Sequence, residues 1–116
     1  MTVREAMAAV RSLTGAAVEE ASLCRWLSEL DGRVARELLG REAPSPYSPE
    51  EGERELLLPA PWDGGVYVHH LEAQSYYASG EYLRAENARV LSESALLAWC
   101  RLRRRETLPE RTSWKL

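Results

Sequence analysis

The chain has 116 residues, of which 45% are hydrophobic and 28% are charged, and its formal net charge is -3. This size predicts one domain with a modest core, and this composition is that of a soluble globular protein and excludes a disordered chain. No apolar run approaches the length of a membrane span and the opening residues lack a signal-peptide pattern, so we expect a cytosolic protein that does not engage a membrane.

Two helices are predicted before the first proline. Thr2 and Glu5 have the spacing of a capping box, so a first helix is expected to begin there and to run toward Gly15. A longer helix is expected over residues 18–39, with Gly40 at the C-cap position. Its apolar residues recur at intervals of three and four: Leu23, Trp26, Leu27, Leu30, Val34 and Leu38. This second helix is the expected central element.

Residues 40–62 interrupt the helical pattern because they contain five of the six prolines. That density of proline is incompatible with a helix, and residues 55–58 are the candidate for a short strand. Connections longer than about 12 to 15 residues are uncommon in compact domains unless they bind something or are disordered. The segment is therefore either an arm that contacts a partner or a solvated, mobile loop.

An antiparallel pair of helices is predicted after this loop. Asp63 suits the N-cap of a third helix, which breaks at Gly80. A fourth helix is expected over residues 81–104. The residues that recur on its packed face are Tyr82, Ala85, Ala88, Leu91, Ala95, Ala98, Trp99 and Leu102. The fold class is thus all-α with about four helices, arranged as one helical domain at 1–104 followed by a basic C-terminal tail at 105–116.

Charge is distributed unevenly along the chain. Residues 101–116 carry six basic side chains against two glutamates, whereas the rest of the chain is acidic. Clustered arginine can neutralise phosphates, which makes DNA or RNA binding one interpretation. Cations at a helix C-terminus also complement the helix dipole. Because the chain as a whole is acidic, the second interpretation is favoured.

The adjacent histidines His69 and His70, with Glu72 close behind, raise the question of a metal site. On a helix His69 and Glu72 share a face, but His69 and His70 diverge by about 100 degrees, which leaves two ligands where catalytic zinc typically takes three. The chain has no P-loop, dinucleotide or nucleophile-elbow motif. Cys24 and Cys100 lack metal-type spacing and are expected to be reduced, largely buried thiols. We therefore predict a non-catalytic protein with no metal and no cofactor.

Two known patterns resemble parts of the chain. The turn at residues 76–85 resembles that of a tetratricopeptide repeat, but a solenoid needs about three such repeats. Over nearly the whole chain, four segments occur in the same order and spacing as in small head-tail connector (head-completion adaptor) proteins of tailed phages and prophages. These segments are MTVREAM, LCRWLSELDGRV, ELLLPAPWD and VYVHHLEAQSYYASGEY. The order of the four segments carries this resemblance.

The resemblance to phage connectors implies a structural protein that assembles as a ring on the portal protein and links the capsid to the tail. Its implied partners are other copies of itself, the portal protein and a downstream stopper or tail component, with DNA only as cargo passing through the channel. The implied location is the host bacterial cytoplasm during assembly and then the head-tail junction of the virion. The residues expected at interfaces are Pro46, Tyr47, Glu53, Glu55, Trp62, Arg101, Arg103, Arg104, Arg105, Arg111 and Trp114.

The sequence is also compatible with two other functions. A generic helical protein-interaction module would use the same hairpin without a phage context. A small nucleic-acid-binding protein would use the arginine run, and its retention on DNA would depend on salt.

Overall fold

A computed structural model of the protein describes residues 1–15 and 17–107. The described part contains four α-helices: α1 (Val3–Thr14), α2 (Glu20–Arg33), α3 (His69–Ala78) and α4 (Tyr82–Thr107). Three shorter helical segments accompany them, namely the π-helical turns Val34–Leu38 and Gly64–Val68 and the 3₁₀ turn Pro49–Glu51. No strand occurs in these residues, so the predicted all-α fold with four helices is confirmed.

Helix α1 begins at the predicted capping box. The Thr2 hydroxyl accepts a hydrogen bond from the Glu5 N–H at 3.2 Å, and the Glu5 carboxylate accepts one from the Thr2 N–H at 2.8 Å. These bonds satisfy two donors that a helix start otherwise leaves unpaired. The helix ends at Gly15, whose φ of 67° is left-handed and whose N–H donates to the Arg11 carbonyl. Both predicted ends of this helix are confirmed.

Helix α2 continues into a π-helical turn that closes the second helical path. The Leu39 N–H donates to the Val34 carbonyl, five residues back, at 3.0 Å. Gly40 follows with a φ of 64°, a conformation that glycine adopts without steric cost. The path therefore ends where Gly40 predicts, while its α-helical start lies at Glu20, slightly later than expected.

Helices α3 and α4 form the predicted antiparallel hairpin. Near their turn the Tyr77 hydroxyl donates to the Glu86 carboxylate at 2.8 Å, and farther away the Ser92 hydroxyl donates to the Val66 carbonyl at 2.8 Å. Small residues on α4 permit this close approach: Ala85, Ala88 and Ala95. Helix α4 reaches at least Thr107, past the predicted end, so residues 105–107, which were assigned to the tail, are helical.

The 40–62 loop packs on the core through its apolar residues. Tyr47, Leu56 and Leu58 are buried, and Leu57 and Trp62 pack against the core cluster. The loop thereby covers one side of the helices that it connects. The interpretation of this segment as a solvated, mobile loop is therefore wrong for its apolar residues.

The candidate strand at residues 55–58 does not form. The described chain has only an isolated antiparallel bridge between Thr2 and Glu55. The Leu56 N–H donates to the Met1 carbonyl at 2.9 Å, and Val3, which follows the bridged Thr2, already belongs to α1. Two extended residues are too few to continue the ladder.

The core lies between α1, α2, the π-helical turn before α3, and α3 itself. Its largest fully buried apolar side chains are Tyr67, Leu23, Leu27, Leu58, Leu71, Val3, Val10, Val34 and Val66. Burying a leucine or valine side chain contributes about 1.5–3 kcal/mol to stability. None of the described helices combines the length and apolar character needed to cross a membrane.

Candidate functional site

A buried carboxylate, Asp31, ties three parts of the chain together. Its exposed fraction is 0%. The Tyr47 hydroxyl donates to Asp31 Oδ2 at 2.5 Å, and the Tyr67 hydroxyl donates to Oδ1 at 2.6 Å. The Leu57 N–H donates to Oδ2 at 3.1 Å. Three donors that converge on two oxygens suit an ionised carboxylate, which only accepts hydrogen bonds.

Burial shifts the ionisation of every member of this Asp31 cluster. Desolvation raises the pKa of Asp31, and the hydrogen bonds from both tyrosines and from the backbone oppose that rise. Desolvation and the neighbouring carboxylate also raise the pKa of Tyr47 and of Tyr67, so both phenols stay protonated and donate at neutral pH. The Tyr67 hydroxyl in turn accepts from the Leu58 N–H at 2.8 Å. The cluster therefore fastens the loop to α2 and to the turn before α3.

Sequence reasoning missed the role of Asp31. The signal was its position, four residues after Leu27 and three before Val34, on the apolar stripe of the predicted helix. A charged residue at such a position must find partners when the helix is buried. The sequence gives no indication that those partners come from the proline-rich loop and from Tyr67.

The acidic edge of the loop is held in a defined position against the start of α1. Glu53 pairs with Arg4, and the Glu55 carboxylate lies 3.4 Å from the Met1 amine. Both glutamate side chains are mostly exposed, at 78% and 70%. Pro46, another predicted interface residue, is also exposed. Because exposed ion pairs add little to stability, these charges remain suited to contact with another molecule.

Two predicted interface residues are turned toward their own core instead. Tyr47 is only 6% exposed and is bound to Asp31, so its assignment to an interface is corrected. Trp62 is half-buried and packs against the core cluster. An aromatic residue in a proline-rich segment suits a partner's pocket and its own core equally well, which is why the sequence alone is ambiguous here. Arg111 and Trp114 lie outside the described residues.

The basic end of α4 consists of four arginines: Arg101, Arg103, Arg104 and Arg105. Arg103 differs from the other three because its guanidinium donates to the Leu38 carbonyl at 3.2 Å and lies 5.8 Å from the centre of the Trp99 ring. It thereby satisfies a carbonyl at the end of the π-helical turn. The other three arginines are exposed and form a cationic surface.

The acidic edge and the basic end are attached to different parts of the fold. Glu53 and Glu55 pair with Arg4 and with the Met1 amine at the start of α1. The basic end contacts Leu38, at the end of the π-helical turn that follows α2. The molecule therefore carries opposite charges on two different patches of its surface.

The paired histidines bind different partners. His69 Nδ1 lies 2.7 Å from Glu72 Oε1, which confirms that these two side chains share a face, and His70 Nε2 lies 3.2 Å from the Trp26 carbonyl. Burial lowers the pKa of His70 to about 4, so its ring is neutral at pH 7 and donates from Nε2 to that carbonyl. Within residues 1–15 and 17–107, no three His, Cys, Asp or Glu side chains are grouped in a way that could hold a metal ion.

Helix α4 carries an exposed apolar row that the sequence reasoning did not identify. We call Leu83, Val90, Leu91 and Leu97 the outer stripe; their exposed fractions are 78%, 49%, 52% and 53%. Leu91, with Tyr82, was predicted on the packed face, and both side chains are exposed. The residues that α4 buries lie on the opposite side of the helix: Ala85, Ala88, Ser92 and Trp99. The seven-residue spacing of positions 83, 90 and 97 was the available signal.

No family model, curated protein or solved structure that was compared with the chain matches it. Among the described residues, the candidates for function are the acidic loop edge with the basic end of α4, and the outer stripe of α4. The interior offers less, since every buried side-chain nitrogen and oxygen of the described residues has a hydrogen-bond partner.

Proposed function

We propose that the chain is a non-catalytic structural protein of a tailed bacteriophage, a head-tail connector subunit that assembles as a ring on the portal protein and links the capsid to the tail. The observation that carries this proposal is that the acidic loop edge and the basic end of α4 form two different patches, one attached to the start of α1 and the other to Leu38. A contact between two different patches of identical subunits closes into a ring when the rotation between them closes. Opposite charges on those patches favour this contact and fix its orientation.

The segments that resemble connector proteins meet inside the fold, which supports the proposal. Asp31 belongs to LCRWLSELDGRV, Leu57 to ELLLPAPWD and Tyr67 to VYVHHLEAQSYYASGEY, and they join at the buried carboxylate. The segment MTVREAM is attached through the Met1 amine, which lies 3.0 Å from the Asp63 carboxylate. The four segments thus meet in one packing arrangement. The exposed charges would determine which partners bind.

Co-expression with the portal protein of the same genome, followed by affinity pull-down, tests the proposal. The informative variant, Arg104→Glu with Arg105→Glu, reverses the basic end but keeps Arg103 on its carbonyl. The matched control reverses Arg25 and Arg84, two exposed arginines elsewhere on the surface. We expect the wild type and the control to co-purify with the portal in stoichiometric amounts. We expect the double reversal at the basic end to lose assembly while its helical circular dichroism is unchanged.

Two outcomes would count against the proposal. A wild-type chain that does not bind a well-assembled portal would overturn the connector function. A ring that forms equally well with both arginines reversed would overturn the charge-based contact.

A further inference from the structure

We propose that the groove between the α2 path and helix α4 binds an extended peptide segment of another protein, one with apolar side chains in its middle and acidic side chains at both ends. The α2 path is α2 together with the π-helical turn Val34–Leu38 that continues it. The inference does not depend on the phage function. The groove shares Arg101 and Arg104 with the proposed ring contact, and its other walls lie elsewhere.

The groove exists because α4 packs closely on one neighbour and sparsely on the other. Helix α4 packs mainly on α3 and on the π-helical turn before it, whereas the α2 path meets it at few places. Near one end, the Arg103 guanidinium crosses the gap to the Leu38 carbonyl. Adjoining hollows of about 130, 320 and 420 Å³ lie along the gap. They share walls and form one groove: Arg33, Glu93 and Leu96 line the first two, and Leu38, Leu97 and Cys100 line the last two.

The length of the groove suits an extended peptide rather than a small molecule. It follows α4 from Arg89 to Arg104, which is roughly 22 Å at 1.5 Å per residue. An extended chain rises about 3.3 Å per residue, so about seven residues span this length. Small-molecule sites enclose most of the surface of their ligand. The two larger hollows are instead open to solvent on one side.

The middle of the groove has apolar walls. Leu38, Leu96 and Cys100 are half-buried and pack against the core, and Leu97 is 53% exposed. Apolar side chains of a bound segment would be stabilised here by about 25 cal/mol per Å² of buried area. Glu37 also lines this part, and its carboxylate repels acidic side chains. The apolar residues of the segment are therefore expected in the middle, with its charges outside it.

Arginines stand at both ends of the groove. Arg33 lies at one end, and Arg101 and Arg104 line the other. Within the described residues, the guanidinium groups of Arg33 and Arg101 form no hydrogen bond or ion pair, and both side chains are exposed. A guanidinium without a partner in its own chain is available to a carboxylate, which it can bind through two parallel hydrogen bonds. The complementary segment thus carries an acidic side chain at each end.

Two carboxylates make a nucleic acid a less suitable ligand for this groove. Glu37 and Glu93 line it, and Glu93 is already bound to Arg89 at 2.6 Å. A nucleic acid carries a phosphate at every nucleotide, so its backbone would meet both glutamates. Bases also need exposed aromatic rings on which to stack. The Trp99 ring is buried and faces the Arg103 guanidinium.

Binding of a synthetic peptide to the full chain tests the proposal. The probe is a fluorescently labelled peptide of about eight residues, with two glutamates at each end and alternating leucine and valine between them. We expect fluorescence anisotropy to show saturable binding with a dissociation constant in the micromolar range, and we expect salt to weaken it. A control peptide with lysine in place of glutamate should not bind.

Charge reversal tests the two ends of the groove. Arg33→Glu combined with Arg101→Glu should weaken binding by about tenfold or more, because both ends then repel the acidic peptide. The matched control reverses Arg25 and Arg84, which changes the net charge by the same amount but lies outside the groove. It should bind the peptide as the wild type does.

Two further measurements test the middle of the groove. Leu97→Gln should weaken binding about fivefold, whereas Leu83→Gln, on the same helix but outside the groove, should not. The Cys100 thiol lines both larger hollows, whereas Cys24 is buried in the core. Saturating peptide should therefore slow maleimide labelling of Cys100 several-fold, as read by mass spectrometry.

Four outcomes would overturn the proposal. The first is a wild-type chain that does not bind the acidic peptide, and the second is equal binding of the lysine peptide. The third is unchanged binding when Arg33 and Arg101 are both reversed. The fourth is labelling of Cys100 at the same rate with and without peptide. None of these measurements involves the portal protein, so the failure of this inference is separable from the failure of the connector proposal.

Discussion

The 40–62 loop buries large apolar side chains, whereas helix α4 leaves a row of them exposed. The loop contains five of the six prolines, yet it buries Tyr47, Leu56 and Leu58. Helix α4 is the longest regular element, yet Leu83 and Leu97 remain more than half exposed. A segment can therefore be well packed without regular secondary structure, and a long helix can leave apolar side chains exposed. The loop packs its apolar side chains within its own chain, whereas the outer stripe of α4 stays exposed.

The difference has a cause in the backbone. A helix pairs most of its own backbone N–H and C=O groups, so α4 needs few hydrogen bonds to the rest of the chain and is held mainly by the packing of its small residues. A buried loop must find partners for its backbone groups elsewhere. Here the Leu57 and Leu58 N–H groups find them in Asp31 and in the Tyr67 hydroxyl.

Asp31→Asn should break the attachment of the loop most strongly. The new amide would direct a donor at groups that are themselves donors, and breaking a buried charged network of this kind costs about 3 to 5 kcal/mol. Urea denaturation should show a loss of that size in the free energy of unfolding. Asp63→Asn weakens the contact with the Met1 amine but keeps a side-chain oxygen that can accept from the Gly64 N–H, so it should cost far less. Equal losses in the two variants would contradict the special role of Asp31.

Protonation of His70, which lies on the inner side of the hairpin, should make the stability of the fold depend on pH. Its pKa is about 4 in the folded chain against an ordinary value of 6.5. The unfolded chain therefore binds a proton first as the pH falls, and stability should be lost between about pH 6.5 and pH 4, by roughly 3 kcal/mol at most. Denaturation across this range should show a flatter profile for His70→Gln than for the wild type. A His70→Gln profile as steep as that of the wild type would contradict this assignment.

The two tyrosines of the Asp31 cluster should contribute unequally. Tyr67→Phe removes a donor to Asp31 and an acceptor for the Leu58 N–H, whereas Tyr47→Phe removes only a donor. We expect losses of about 2 kcal/mol and about 1 kcal/mol in the free energy of unfolding. Hydrogen exchange should also show faster exchange of the Leu58 amide in Tyr67→Phe alone. A larger loss in Tyr47→Phe would contradict this assignment.

The outer stripe should contribute least to the stability of the monomer. Leu83→Ala should change the free energy of unfolding by no more than about 0.5 kcal/mol. Leu58→Ala, the same substitution in the buried loop, should cost about 2 to 5 kcal/mol. Similar costs in these two variants would remove the contrast between the loop and α4.

Local chemistry made both ends of α1 and the end of the α2 path predictable from the sequence. Thr2, Gly15 and Gly40 act on the backbone within a few residues, so their effect can be read without knowledge of the tertiary fold. The role of Asp31 was missed, and Leu91 was assigned to the wrong face of α4, because their surroundings come from distant segments or from solvent. Helical spacing also predicts that a residue lies on a particular stripe, but it does not state which of two apolar stripes on α4 faces the core.

The central proposal is that this chain folds around a satisfied buried core and uses its exposed charges to assemble as a connector on a portal protein. Negative-stain imaging of the wild-type chain co-purified with the portal of the same genome tests it most directly. The account predicts a ring of copies of this chain that caps the portal in stoichiometric amounts. A well-formed portal with no ring on it would contradict the account.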